Sequence, residues 1–195
     1  MSLDLPLELV LLLALSFTIF ATFFWKRRKL SPSAQLDVLL RPFKLDEVKE
    51  VIIPDGIGGL LEVEQIVLVE QGLLLIETYS ISGNIFGADH IDEWSQIVDG
   101  RSYKFTNPLR RLRTVSQALK LLAPNVPIFC KVVFNADSHF PKGKPDEVST
   151  LATMTDDMEV VLASPAIKKK AEQDWLRCLR IARKNGQSLH RDGAL

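Results

Sequence analysis

Two carboxylates carry the most chemical information in the sequence, Glu64 and Glu77, both within the stretch Leu61–Tyr79, LEVEQIVLVEQGLLLIETY. Side chains alternate along an extended strand, so Glu62, Glu64, Ile66, Leu68 and Glu70 share one face. Leu73, Leu75, Glu77 and Tyr79 share a face of the next strand. With Gln71-Gly72 as a two-residue hairpin loop, Glu70 lies opposite Leu73, Ile66 opposite Glu77 and Glu64 opposite Tyr79. Glu64 and Glu77 are then diagonal neighbours, roughly 7–8 Å apart at Cα. Two anions that close on a largely apolar face repel each other and resist desolvation. A divalent cation relieves both costs, because Mg²⁺ is commonly held by one or two carboxylates together with water and substrate phosphates. The alternative is a solvated strand edge at which both acids simply face water. Periodicity alone leaves the two open.

The elements that must position these acids follow from turn and cap signals. Val48–Pro54 reads as a first strand, ended by the glycine-rich turn Asp55–Gly59. Leu61–Glu70 and Leu73–Tyr79 follow as strands, and Ser82-Gly83-Asn84 with Gly87 punctuates a hairpin-like segment. Arg101–Thr106 is short and extended. Asn107-Pro108 opens a helix, an Asn cap with Pro at the first helical position, running to about Leu122. Val126–Asn135 is another strand, and 136–147 a polar loop. Ser164-Pro165 caps a last helix, with Ile167, Ala171, Trp175, Leu179 and Ala182 at helical spacing. Residues 34–47 are weakly helical, interrupted by Pro42. The order predicts an α/β or α+β domain around a mixed sheet.

The chain has 195 residues, with 24 Lys plus Arg against 24 Asp plus Glu, which excludes a generally basic nucleic-acid coat and an acidic tail. Cys130 and Cys178 are too few for a disulfide framework or a four-ligand zinc site. Charge is nevertheless segregated: residues 44–99 hold 12 acids and 2 bases, whereas 101–120 hold 6 bases and no acid. Arg101, Lys104, Arg110, Arg111, Arg113 and Lys120 make up that basic stretch. It suits a phosphate backbone, or equally a solvated helix face that balances the acidic half. Arg110 and Arg113 share a helix face while Arg111 points elsewhere. The last helix is also basic, and docking through Trp175, contact with anionic lipid and nucleic-acid binding are all open to it.

At the start, Leu5–Trp25 is almost wholly apolar and is followed at once by Lys26-Arg27-Arg28-Lys29. At ~1.5 Å per residue this run spans roughly one hydrocarbon core. The basic quartet predicts a single-pass anchor of the inner-membrane type, with the body on the cytoplasmic side. An acidic start and a Phe-Phe-Trp end argue against a cleaved signal.

Five short pieces in order resemble the nuclease-related domain (NERD) family of the PD-(D/E)xK, restriction-endonuclease-like superfamily. They are Val63-Glu64-Gln65, Gly72 before Ile76-Glu77-Thr78-Tyr79, the turn Ser82–Gly87, Trp94-Ser95-Gln96, and Phe105-Thr106-Asn107-Pro108-Leu109. The resemblance implies a restriction-endonuclease-like mixed β-sheet flanked by helices, here preceded by one transmembrane helix. It implies a metal-dependent nuclease site with Glu64 and Glu77 as ligands of Mg²⁺ or Mn²⁺, the metal activating water and neutralising the scissile phosphate. DNA or RNA is then the substrate, with Arg101, Lys104, Arg110, Arg111 and Arg113 as its basic flank.

This chain departs from the family pattern at several positions. Glu64 stands for the usual aspartate, Gln65 for the histidine after it, and Arg111 where a Gln is common. Tyr79 stands in the place of the catalytic lysine of Glu-x-Lys and brings no positive charge at neutral pH. Lys131, on the later strand, is the candidate for a displaced lysine, the alternative being an exposed lysine at a strand edge.

The chain so read divides into an anchor (1–29), a linker with a short helix (30–47), the nuclease-related domain (48–150) and a basic helical extension (151–195). Two functions stay open. One is a phosphodiesterase acting on DNA or RNA. The other is a non-catalytic module that binds nucleic acid or an unknown protein partner at the membrane's cytoplasmic face.

Overall fold

A computed structural model describes residues 31–167, 169 and 172–180. The predicted anchor, 1–29, lies outside the described residues, among which no helix is long and apolar enough to cross a membrane. Helix α1 (Pro32–Leu40) starts where the Ser31 hydroxyl accepts a hydrogen bond from the Ala34 N–H. Strands β1 (Asp46–Pro54), β2 (Leu60–Val69) and β3 (Gly72–Tyr79) follow as a meander. Next come β4 (Gly83–Phe86), β5 (Glu93–Val98), β6 (Arg101–Thr106), helix α2 (Pro108–Leu122) and β7 (Ile128–Phe134). The short elements β8 (Ser138–His139), β9 (Val148–Thr150), α3 (Met154–Asp157) and α4 (Glu159–Leu162) complete the order.

The expected single mixed sheet is two mixed sheets. A five-stranded one runs β1-β2-β3-β7-β9, and a four-stranded one runs β6-β5-β4-β8. In the larger, β1, β2 and β3 pair antiparallel while β7 is parallel to both β3 and β9. One face of this sheet carries Val63, Ile66, Leu68, Leu73, Leu75 and Val132. It shares a core with Leu109, Leu112 and Val115 of α2, with Ile85 and Trp94 of the smaller sheet, and with Trp175 and Cys178. The opposite face, with Val67, Val69, Leu74, Ile76 and Val133, is covered by α1, α3 and α4. Central strands buried on both faces explain why Leu73–Ile76 is a continuous apolar run rather than an alternating one.

The pieces that carried the resemblance build this frame. Asn107 caps α2 by accepting from the Leu109 N–H at 2.9 Å, and its amide donates to the carbonyls of Ala88, Asp89 and Ile91. Trp94 Nε1 donates to the Ala88 carbonyl at 3.0 Å, and Gln96 Nε2 to that of Ser82 at 2.7 Å. Gly87 is glycine because a Cβ there would stand 2.1 Å from the Trp94 ring. The last helix, expected from Ser164-Pro165, is described over 172–180. It docks: Trp175 and Cys178 are buried, and Trp175 Nε1 donates to Asp46 at 2.7 Å.

Candidate functional site

The register between β2 and β3 differs from the sequence expectation. Val69 pairs with Gly72, Ile66 with Leu75 and Gln65 with Ile76, so the turn is Glu70-Gln71. Continued by one residue, this register sets Glu64 opposite Glu77 rather than opposite Tyr79. Gly72 is needed inside the strand, not in the turn. A Cβ there would lie 2.4 Å from the Pro127 carbonyl, to which the Leu73 N–H donates.

The facial assignment of Glu64 also changes. Two residues, not one, separate the core-facing Val63 from Ile66 on β2, and likewise Val48 from Val51 on β1. The interruption on β1 includes Glu50, a non-glycine residue in the left-handed region at φ 51°. Across it the two strands keep one register, with Lys49 opposite Gln65 and Val51 opposite Val63. Gln65 consequently donates to Glu47 at 2.7 Å. Glu64 reaches along the sheet to Thr78, accepting from its N–H at 2.7 Å and from its hydroxyl at 2.5 Å.

Glu77 sits on the core face of β3, only 3% exposed. From α2, Arg111 places Nε 3.1 Å from Glu77 Oε1 and donates through Nη2 to the Glu62 carbonyl at 2.7 Å. The ion pair is close but not aligned for a hydrogen bond, and Oε1 has no hydrogen-bond partner. Burial pushes the Glu77 carboxyl up from its ordinary pKa; the Arg111 guanidinium opposes this, and the charge of Glu64 adds to it. Beside Arg111 opens a cavity of about 360 Å³ lined by Glu50, Val51, Ile52, Glu62, Val63 and Glu64.

Tyr79, in the lysine's place, is half-buried with its ring 5.7 Å from that of Phe134. Burial first, and then the charge of Glu77, raise its phenol pKa further, so it is neutral at physiological pH. Lys131 does not join the acids. It pairs with Ile76 across the parallel ladder, on the face opposite to Glu77, where Nζ donates to the Asp146 carbonyl at 2.8 Å. Nor is it an exposed edge lysine: at 6% exposure it lies on an internal strand. Burial lowers its ammonium pKa, against the pull of Asp157.

The basic flank is largely neutralised. Lys104 pairs with Glu93 at 3.1 Å, Arg110 with Asp92 and Arg113 with Asp89, while Arg101 is exposed. Arg111 belongs to the acid site itself. The residues that sequence reasoning missed there are Arg111, in the role of partner to Glu77, and Thr78. Helical periodicity separated Arg111 from Arg110 and Arg113, which was the available signal.

A divalent cation needs carboxylate oxygens free to turn toward it. Here both Glu64 oxygens are taken by Thr78, and a guanidinium already stands at Glu77. Among the described residues no three His, Cys, Asp or Glu side chains gather closely enough to hold a metal ion. The donor set as arranged does not fit Mg²⁺ or Mn²⁺.

Fold and site together define an α/β domain of two mixed sheets flanked by helices, with Glu77 facing Arg111 of α2 and Glu64, on the adjacent strand, held by Thr78. A sequence model of the nuclease-related domain, NERD, matches residues 34–135, just over half of the chain, and takes in most of α1 as well as the two acids. The chain belongs to the nuclease-related domain family. No curated protein and no solved structure matches it.

Proposed function

We propose that this chain is a non-catalytic member of its family. In this reading it is a restriction-endonuclease-like module, held at the cytoplasmic face of a membrane by residues 1–29, that works through a protein partner. The observation that carries the reading is the Arg111 guanidinium 3.1 Å from Glu77, while a neutral tyrosine replaces the lysine. A nuclease of this type needs a free positive charge for the phosphate and a vacant seat for the cation between its acids. Arg111 spends its charge on Glu77 and fills that seat.

Charge also favours a protein over a nucleic acid. Lys104, Arg110 and Arg113 each hold a carboxylate, and Glu50, Glu62 and Glu64 line the open side of the site. An acidic opening repels a phosphate backbone and suits a basic protein segment. One observation favours the second reading, a Mg²⁺- or Mn²⁺-dependent phosphodiesterase with Glu64 and Glu77 as ligands. The buried Oε1 of Glu77, ion-paired with Arg111 but without a hydrogen bond, is a group that a cation would satisfy.

The test is the full chain in detergent, incubated with plasmid, linear DNA and RNA in Mg²⁺, Mn²⁺ or EDTA, beside Glu64→Ala and Glu77→Ala. We expect no cleavage above that of the two variants, and no salt-sensitive retention of labelled DNA or RNA. Cleavage that needs metal and vanishes in both variants would overturn the proposal in favour of the phosphodiesterase.

A further inference from the structure

A cavity of about 670 Å³, large enough for a small organic molecule, is bounded by β7, the 144–147 loop, α3 and α4. Lys131 lines it while only 6% exposed. Alternation along β7 sets Lys131 on the same face as Phe129 and Val133, and both of those belong to the apolar layer beneath α1, α3 and α4. A cation thus stands where an apolar side chain is expected.

Its surroundings do not balance that charge. The ammonium donates to the Asp146 carbonyl at 2.8 Å, and it forms no ion pair among the described residues. Asp157, whose charge pulls on it most, is already held by Lys144 at 2.5 Å and by the Thr153 hydroxyl at 2.6 Å. Glu147 lies 3.8 Å from Arg113, Asp146 and Asp156 are exposed to water, and Lys144 repels Lys131. Burying an ammonium costs more than one hydrogen bond to a neutral carbonyl returns, and burial accordingly lowers the pKa of this one. Tying the 144–147 loop to β7 needs a donor but not a charge. The remaining ammonium N–H donors suit an acceptor from outside the chain, and a negatively charged one gains most.

The walls set the rest of the ligand. Phe129, Val160 and Val161 are apolar, and Val160 is 77% exposed, so an apolar body along them would cover surface now in water. The charge is limited as well. Lys131 is a single cation and Lys144 is committed to Asp157, so the dianion of a phosphate monoester would lack a second partner and would meet the exposed Asp146 and Asp156. We infer that this cavity binds a small monocarboxylate with an apolar body, its carboxylate accepting from the Lys131 ammonium and its chain lying against Phe129, Val160 and Val161. The site stands apart from Glu64 and Glu77, because Lys131 and Glu77 lie on opposite faces of the sheet.

The test is equilibrium dialysis of radiolabelled hexanoate against the full chain in detergent, with a detergent-only chamber as the blank. Wild type should retain the label saturably and release it to unlabelled hexanoate. Hexan-1-ol, with the same chain and no charge, should compete about tenfold more weakly, the worth of one charge-assisted hydrogen bond. Hexyl phosphate should compete no better than the alcohol. Lys131→Met keeps length without charge and should weaken hexanoate binding by about tenfold. Val160→Glu, a change at an exposed position, sets a negative charge on the wall and should weaken it too. Val38→Glu, a similar change on α1 away from the cavity, should bind as wild type does.

The inference is overturned if wild type shows no saturable retention at about 1 mM hexanoate, the weak end of specific binding. It also fails if hexan-1-ol competes as well as hexanoate, since the cavity is then merely apolar, or if hexyl phosphate competes better. Undiminished binding by Lys131→Met overturns it as well. Should Lys131→Met not fold, the two glutamate variants decide: equal binding by Val160→Glu and Val38→Glu removes the ligand from this cavity.

Discussion

Asn107 and Glu77 are both almost wholly buried polar residues, 1% and 3% exposed, and both lie within segments shared with the family. Their surroundings are opposite. The Asn107 side chain accepts one hydrogen bond and donates to three carbonyls, joining the start of α2 to the 88–91 loop. Glu77 has an oxygen with no hydrogen-bond partner and one misaligned arginine. A fully satisfied buried amide specifies a structure, whereas a buried carboxylate left partly unsatisfied costs stability. Within one small domain the residues of the family's segments thus divide into satisfied scaffold groups, such as Asn107, and a buried carboxylate, Glu77, that the fold must accommodate.

The contrast breaks most readily at Asn107. Asn107→Ala strips the cap from α2 and leaves three carbonyls to find other partners. Urea unfolding should show a loss of about 3 kcal/mol, from cap removal at about 1 and unsatisfied buried groups at about 1–3. A loss no larger than that of an ordinary surface substitution would remove the scaffold half of the comparison. Next in size is Gly87→Ala, whose new methyl would press on the Trp94 ring from 2.1 Å. That ring stacks near Phe134 at 6.3 Å and is fixed by its bond to Ala88, so it cannot shift freely. Overpacking of this kind costs about 1–3 kcal/mol. The same variant should alter the near-ultraviolet circular dichroism.

The two regions were also unequally legible in the sequence. Asn107-Pro108, the turn at Asp55–Gly59 and the strand at 128–134 could be read because their signals are local: a cap, a proline, a glycine-rich break, an apolar run. The site could not be read in the same way. Its register turned on Gly72, which looks like a turn residue but is glycine because the Pro127 carbonyl crosses it. Glu64 changed face because of a break that takes in Glu50, one strand away.

Lys131 was misplaced for a similar reason. The three-residue β9, in a segment to which no element was assigned from the sequence, covers the edge of β7 and makes it internal. Helical spacing set Arg111 apart from Arg110 and Arg113, but spacing shows only which residues share a face. It does not show what that face meets. Each miss came from a contact between residues far apart in sequence.

The smallest expected effect is the sharpest test of the site half. Burial holds the Glu77 carboxyl above its ordinary pKa, so the folded state binds that proton more tightly than the unfolded state does. Whatever stability Glu77 provides is present in acid. It is lost as pH rises from the ordinary carboxyl value toward the raised folded one, because the ionised form must then be kept buried. Glu77→Gln removes this titration while keeping the shape. Relative to wild type the variant should gain stability between acid and neutral pH, and at pH 7 be the more stable of the two, by less than either loss above. Urea unfolding of both chains at pH 4, 5.5 and 7 measures it. The Arg111 guanidinium works in the opposite direction, favouring the charged carboxylate. If the variant instead falls behind as pH rises, the ion pair outweighs burial, and Glu77 is a structural residue of the same kind as Asn107.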